Sequence, residues 1–292
     1  MADGGMQQAE SFDQVMAALR PRLHRYCARM IGSALEGEDI VQDALAKAAE
    51  LYPASGPIAR PEAWLFRIAH TTALDALRRR KRQRSRETEI PLAALPDQSA
   101  AADARVIAAS GLAALLRLSP TQRSAIVLAD VLGHSLVETA AIIETSLAAV
   151  KAALHRGRAK LRAPEPETPP PALDAAEREK LRAYADRFNA RDFEALKALL
   201  AEDVRLDLVN RVKLAGRKEV AVYFTRYSAA QAWLVRPGRI EGRLALLFED
   251  PAAPAAGIHH IVLLGWAGAA VATIRDFLYA PYVMDGLAVE RL

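Results

Sequence analysis

Between Arg78 and Arg86 the chain carries seven basic residues, Arg78, Arg79, Arg80, Lys81, Arg82, Arg84 and Arg86. Fixed positive charge along a rod suits a polyanion with repeating charge, and nucleic acid is the commonest one. A solvated tail has the same composition, so the run alone favours nucleic acid only modestly. A second basic group gathers at Lys151, His155 and Arg156, with Arg158, Lys160 and Arg162 beyond it. Ala148 and Ala152 share that face. Small residues let a backbone approach a groove, while the longer side chains reach phosphates or base edges. Cys27 is the only cysteine, which excludes an intramolecular disulfide and a cysteine metal cluster. It sits in a helical pattern and reads as a small core residue rather than a nucleophile.

Helices must hold these groups. Pro61 fits the first turn of one, where its missing N–H costs nothing. From there Leu65, Ile68, Ala69, Ala73, Ala76 and Leu77 recur at helical spacing as a buried stripe. Arg67, Thr71, Asp75 and Arg78 fall three or four apart on a different face. Upstream, Phe12 to Met30 predicts a helix that Pro21 bends or divides, and residues 1–10 read as disordered. Glu36, Glu38 and Asp39 suit the N-terminus of the next helix. Ile40, Val41, Ala44, Leu45 and Ala48 form its buried face, and Glu38, Asp39, Gln42, Asp43 and Lys47 its wet face. Residues 53–57 are a loop.

Residues 87–99 read as a polar connector and 100–117 as an alanine-rich helix. Ser119 with Gln122, and Ser135 with Glu138, are capping boxes, the first with Pro120 at the opening helical position. Glu144, Thr145 and Ser146 form a tight turn before a helix from Leu147 to Arg162. The pair has the proportions of a helix-turn-helix, with Leu147, Val150, Leu154 and Leu161 facing its partner. A helical hairpin with a wet basic face would look alike, but two separate basic helical units on one chain favour nucleic acid.

The order EDIVQDALAKA, PEAWLFRIAHTTALDALRRRKR, LSPTQRSAIVLADVLGHSLVETAAIIETSLAAVKAALHRGRAKLR resembles bacterial sigma factors, and within sigma-70 the extracytoplasmic-function group. That resemblance implies a first helical domain that binds the β′ clamp helices of core RNA polymerase and opens the promoter's −10 element. It implies a helix-turn-helix that reads the −35 element, so promoter DNA and the polymerase β′ and β subunits are the expected partners. By position, Glu38, Asp39, Gln42, Asp43 and Lys47 fall on the polymerase-docking surface. Residues 54–60 fall where the family holds a flipped base. Arg67, Thr71, Thr72, Asp75, Arg78, Arg79 and Arg80 fall on the melting helix. Thr145, Ser146, Ala148, Lys151, His155, Arg156 and Arg158 fall on the duplex-reading element. Many members have Asn near the positions of His70 and Thr71. This chain has none, so base choice at −10 is expected to differ.

A proline-rich spacer at 163–171 marks a boundary. Beyond it, Leu181, Tyr184, Ala185 and Phe188 define a helix, and Phe193, Leu196, Leu199 and Leu200 another. Val204 to Val209 alternates as a strand, and 216–227 reads as helical. Residues 239–249, 258–266 and 270–279 read as strands, giving an α+β domain with an antiparallel sheet. NARDFEALKALLAEDVRLDL and AGAAVATIRDFLYA resemble the SnoaL-like domains of the ketosteroid-isomerase-like cone fold. Family enzymes use a pocket carboxylate, for which Asp207 and Asp276 are candidates, with His259 or His260. Strand alternation keeps the two histidines from facing one pocket, and Arg275 with Asp276 reads as a local charge pair. A relic pocket or ligand sensor is the favoured reading over an enzyme.

The expected organisation is therefore two all-α sigma domains followed by an α+β cone. Region 2 spans 10–86, a linker 87–117, region 4 118–163, a spacer 164–172 and a regulatory SnoaL-like domain 173–292. The expected function is promoter-specific initiation with regulation in cis. The alternative is a small-molecule-binding, isomerase or hydrolase domain fused to a helix-turn-helix regulator. With 292 residues, 52% hydrophobic and 25% charged, the composition is that of a soluble globular protein. Net charge is only +4, so the positive charge is localised. A cytoplasmic, nucleoid-associated protein without catalytic residues, cofactor, metal or membrane partner is expected, with a small-molecule ligand of the last domain as an option.

Overall fold

The structure is a computed structural model. It describes residues 3–56, 58–88, 112–162, 174–229, 233–285 and 287–292. The chain divides into two compact units, 1–169 and 170–292. Most of the connector and the helix expected over 100–117, the spacer at 163–171, and Pro57 lie outside the described residues.

The first unit is helical. α1 (Asp3–Ile31) runs unbroken through Pro21 and starts inside the stretch expected to be disordered. Packing carries it past the proline: Leu23, Tyr26, Cys27 and Met30, all after Pro21, are at most 1% exposed. α2 (Ala34–Leu51) begins at Ser33, whose hydroxyl accepts from the Glu36 amide. It crosses α1 closely at Gly37, where a Cβ would lie 2.6 Å from the Ala28 Cα. α3 (Pro61–Thr88) follows a 3₁₀ turn at Tyr52–Ala54.

After α4 (Ala113–Leu116) comes α5 (Pro120–Ile126), which widens into a π-helical turn over Val127–Val131. There the Leu132 amide donates to the Val127 carbonyl at 3.0 Å. α6 (Leu136–Ile142) and α7 (Leu147–Leu161) complete the unit. Both capping boxes form, each serine accepting from the backbone three residues on while Gln122 or Glu138 returns the bond. Val150 and Leu154 bury as expected, and Leu161 partly. Leu147 instead stays 39% exposed at the first position of α7.

In the second unit α8 (Ala175–Asn189), α9 (Phe193–Ala198) and α10 (Arg217–Ala229) pack on a seven-stranded sheet of order β2-β1-β6-β5-β4-β3-β7. Its strands are β1 (Leu200–Leu208), β2 (Val212–Ala215), β3 (Leu234–Ile240), β4 (Arg243–Glu249), β5 (Ile258–Ala267), β6 (Ala270–Asp276) and β7 (Val289–Arg291). The fold is α+β, but the sheet is mixed: β1 pairs with β6 in parallel, which overturns the all-antiparallel expectation. Between β1 and β6 the chain passes through β2, α10 and the strands β3 to β5, and so long a crossover permits parallel pairing. The strand expected over 239–249 is a hairpin, turning at Glu241 and Gly242, both with positive φ. The Asn189 side chain fixes β3 by donating to the Val235 carbonyl and accepting from its amide, each at 2.8 Å.

Candidate nucleic-acid interface

α3 buries Leu65, Phe66, Ile68, Ala69 and Ala73 and turns Arg67, Thr71, Asp75, Arg78 and Arg79 outward. Asp75 accepts from Arg78 at 3.0 Å, an exposed pair one helical turn apart. Arg80 is half-buried, lying 3.6 Å from Glu36 and donating to the Ile31 carbonyl at the end of α1. Thr72 does not share the exposed face. One position on from Thr71 it is rotated about 100° around the helix, is 1% exposed, and takes a 3.4 Å hydrogen bond from Lys47.

The wet face of α2 needs a similar correction. Asp39, Asp43 and Lys47 are exposed and Gln42 partly so, but Glu38 is fully buried and paired with Arg20 of α1. Its place one turn from Ala34 and Val41, both buried, puts it on the packing side. The guanidinium of Arg20 compensates a charge that would otherwise be costly to bury.

In the helix-turn-helix, Glu144 adopts φ 52° and Ser146 caps α7 by accepting from the Ala149 amide at 3.1 Å. Ala148, Lys151, His155 and Arg156 are exposed along α7, with Thr145 partly exposed in the turn. Val150, Ala153, Leu154 and Gly157 press the other side against α5 and α6. Gly157 allows the close approach, since a Cβ there would lie 2.7 Å from Ile126. Arg158 is bound by both carboxylate oxygens of Asp130, at 2.6 and 2.9 Å, so its fork is already occupied.

Sequence reasoning missed a buried polar set that joins the helix-turn-helix to the first three helices. The Tyr26 hydroxyl lies 2.7 Å from His70 Nδ1 and 3.3 Å from Ser124 Oγ. Arg123, 5% exposed, donates to the Leu115, Leu116 and Leu118 carbonyls at 2.9–3.2 Å and to the Met30 carbonyl. Burial lowers its pKa to about 10, which leaves it cationic at neutral pH. Burial holds His70 at about 4, so it is neutral there. Nothing local marks these residues, because each is recognisable only from its partners far along the chain.

In the second unit, Asp276 is fully buried. It accepts from the Tyr223 and Tyr227 hydroxyls and the Leu278 amide, each at 2.8 Å. Burial raises its carboxyl to about 6 against the pull of those three donors. His260 lies 3.7 Å away and is held down to about 3, again by burial. Arg275 points to the other face and pairs with Asp207 at 3.5 Å across the parallel register, not with Asp276. A bulge opposite Phe248 and Glu249 brings His259 Nδ1 within 3.0 Å of His260 Nδ1. The rings meet despite strand alternation, although His259 is exposed and His260 is not. The tyrosines, four apart on α10, were the missed signal: paired hydroxyls on an apolar helix require a polar partner inside.

Sigma-70 region 2 matches residues 15–83 and sigma-70 region 4 matches residues 112–161. The ECF RNA polymerase sigma factor SigG of Mycobacterium tuberculosis is 31% identical over 63% of this chain, which spans 57% of SigG's length. The RNA polymerase sigma factor CarQ of Myxococcus xanthus is 34% identical over 52% of this chain and 88% of its own. The solved structure of the extracytoplasmic-function sigma factor SigJ of M. tuberculosis is 23% identical, covering 89% of this chain and 93% of that one with TM-score 0.35. An NTF2-like protein from Cytophaga hutchinsonii is 11% identical, covering 34% of this chain and 96% of that one with TM-score 0.25. Among the described residues no helix is long and apolar enough to cross a membrane. With two sigma-70 regions in order, CarQ matched over most of its length, and the ECF RNA polymerase sigma factor SigM of M. tuberculosis 31% identical over 52% of this chain and 75% of its own, the chain belongs to the extracytoplasmic-function RNA polymerase sigma factors.

Proposed function

We propose that this chain is a promoter-specificity subunit: it docks on core RNA polymerase, opens the −10 element and anchors on the −35 element. The mechanism is binding rather than catalysis. Asp39, Gln42, Asp43 and Lys47 offer a mixed-charge docking face to the β′ clamp helices. Arg67, Thr71, Arg78 and Arg79 line the melting helix, whose cations hold separated strands by their phosphates. Lys151, His155 and Arg156 read duplex DNA from α7, with Ala148 giving the clearance. Residues 10–86 and 118–163 carry these two roles, and 173–292 regulate them in cis.

The observation that carries this reading is the pairing of two matched sigma regions with exposed cationic helix faces on packed apolar cores. In vitro transcription with core polymerase tests it. Promoter-specific transcripts that depend on the chain support the reading, and their absence on all upstream sequences of the host rejects it.

One observation bears on the second unit. Asp276 has the raised carboxyl of a general base, yet its oxygens accept from the chain's own Tyr223, Tyr227 and Leu278. Three of the roughly four acceptor sites of the carboxylate are thus taken by the chain's own donors, which favours a regulatory domain over an isomerase or hydrolase. Turnover of any ketosteroid or epoxide that stops on Asp276→Asn would reverse that preference.

A further inference from the structure

We propose that Asp130 sets the chain's non-specific grip on duplex DNA by withholding Arg158 from the phosphate backbone. The inference rests on the reading of α7 as the duplex-binding helix given above.

Arg158 stands where a phosphate contact is expected. Lys151, His155, Arg158 and Arg162 recur three or four positions apart, so they form one stripe, and all are exposed. The Arg158 side chain is 50% exposed, yet both arms of its fork are engaged. Its Nε donates to Asp130 Oδ2 at 2.9 Å and its Nη2 to Oδ1 at 2.6 Å. Arginine grips a phosphate with the same parallel pair of bonds, so carboxylate and phosphate compete for one edge of the guanidinium. The hydrogen bonds and charge of Asp130 raise the Arg158 pKa, so the cation persists and only its field is cancelled. Among the described residues no carboxylate pairs with Lys151 or Arg156, so the clasp singles out one cation of the group.

Asp130 owes its place to backbone geometry. It sits in the π-helical turn Val127–Val131 that follows α5, a widened turn of a kind that recurs at functional positions. The recognition helix is already seated without the pair. Val150, Ala153 and Leu154 share an apolar cluster with Ala125 and Ile126 of α5, and Gly157 lets the two helices approach. The clasp therefore arranges charge more than it holds the helix. A carboxylate beside a phosphate track repels DNA unless a cation cancels it, and here the cancellation consumes one cation of the track. Non-specific binding is almost wholly phosphate contact, and each neutralised phosphate releases a counterion. A genome offers so many non-specific sites that one contact fewer leaves more of the chain for polymerase.

The test uses the full chain and a labelled random-sequence duplex of about 30 base pairs, read by anisotropy from about 0.05 to 0.2 M salt. Asp130→Asn keeps the shape of the side chain and removes its charge. It is expected to bind roughly threefold tighter or more, with the slope of log affinity against log salt steeper by about 0.9, the mark of one further phosphate. In an Arg158→Ala chain the same substitution is expected to leave the slope unchanged. Equal or weaker binding by Asp130→Asn overturns the proposal and makes the pair a tie that holds α7, since a loosened helix loses affinity rather than gaining it. A steeper slope that persists without Arg158 also overturns it, because a lost negative charge then explains the gain alone. Wild-type chain run alongside separates the two claims. If it shows no salt-dependent binding, the duplex-reading role of α7 fails and the proposal falls with it. Salt-dependent wild-type binding that Asp130→Asn leaves unaltered counts against Asp130 only.

Discussion

Acid should loosen the first unit through His70. The ring is 7% exposed and packed against Tyr26 of α1 and Ser124 of α5, with Glu144 and Arg78 as the charges that act on it. Burial is the largest influence and holds it at about 4, against 6.5 in an unfolded chain. A histidine lowered in the fold contributes full stability above pH 6.5 and loses it as pH falls towards 4. Between pH 7.5 and pH 5 the loss comes to about 2 kcal/mol at 1.36 kcal/mol per unit. His70→Gln removes the proton site while keeping an acceptor for the Tyr26 hydroxyl. Urea unfolding followed by Trp64 fluorescence measures the difference, in a chain with Trp233 and Trp266 replaced by Phe. His24 and His134, also lowered by burial, act in both proteins and cancel. As pH falls from 7.5 to 5 the stability difference should shift by about 2 kcal/mol in favour of His70→Gln, and a shift under about 0.5 kcal/mol refutes the reasoning.

Other outcomes follow from the same structure. Asp276, raised to about 6 from 3.8, should lower the stability of the second unit relative to Asp276→Asn by about 2 kcal/mol as pH climbs from 4 to 7, with His260, lowered by burial, acting in both proteins. Denaturant titrations monitored at Trp233 and Trp266 read that difference, and identical pH slopes in the two proteins would contradict it. Gly37→Ala should destabilise the first unit by roughly 1–3 kcal/mol, because the new Cβ meets the Ala28 backbone 2.6 Å away rather than a side chain that can yield. An unchanged melting temperature would rule that out. Asp39→Arg with Asp43→Arg should abolish core polymerase binding while leaving duplex affinity intact, read by pull-down and by anisotropy. Retained polymerase binding would remove those residues from the docking face.

Local features were legible in the sequence. The serine caps at Ser119 and Ser135, the stripe on α3 and the apolar residues of α8 follow from contacts a few residues apart. Most of what eluded it depends on partners far along the chain. Glu38 carries a wet-face residue type yet is buried because Arg20 meets it. Parallel pairing of β1 with β6 joins residues as far apart in sequence as Leu208 and Asp276, and no periodicity encodes it. The bulge in β5 set the two histidine rings together against the alternation rule. Glu241 at the hairpin turn gave little warning, because a non-glycine residue seldom takes positive φ. The exposed cationic faces on α3 and α7 were visible in advance, whereas the knot of Arg123, Tyr26, His70 and Ser124 was not.

Everything proposed for this chain depends on its acting from the polymerase rather than alone. The direct measurement is transcript mapping with purified core RNA polymerase, host promoter DNA and the full chain. Discrete start sites that appear only when the chain is added, and that vanish with Asp39→Arg and Asp43→Arg, are the expected result. Duplex binding without any chain-dependent start site would contradict the sigma-factor reading, however tight that binding proved.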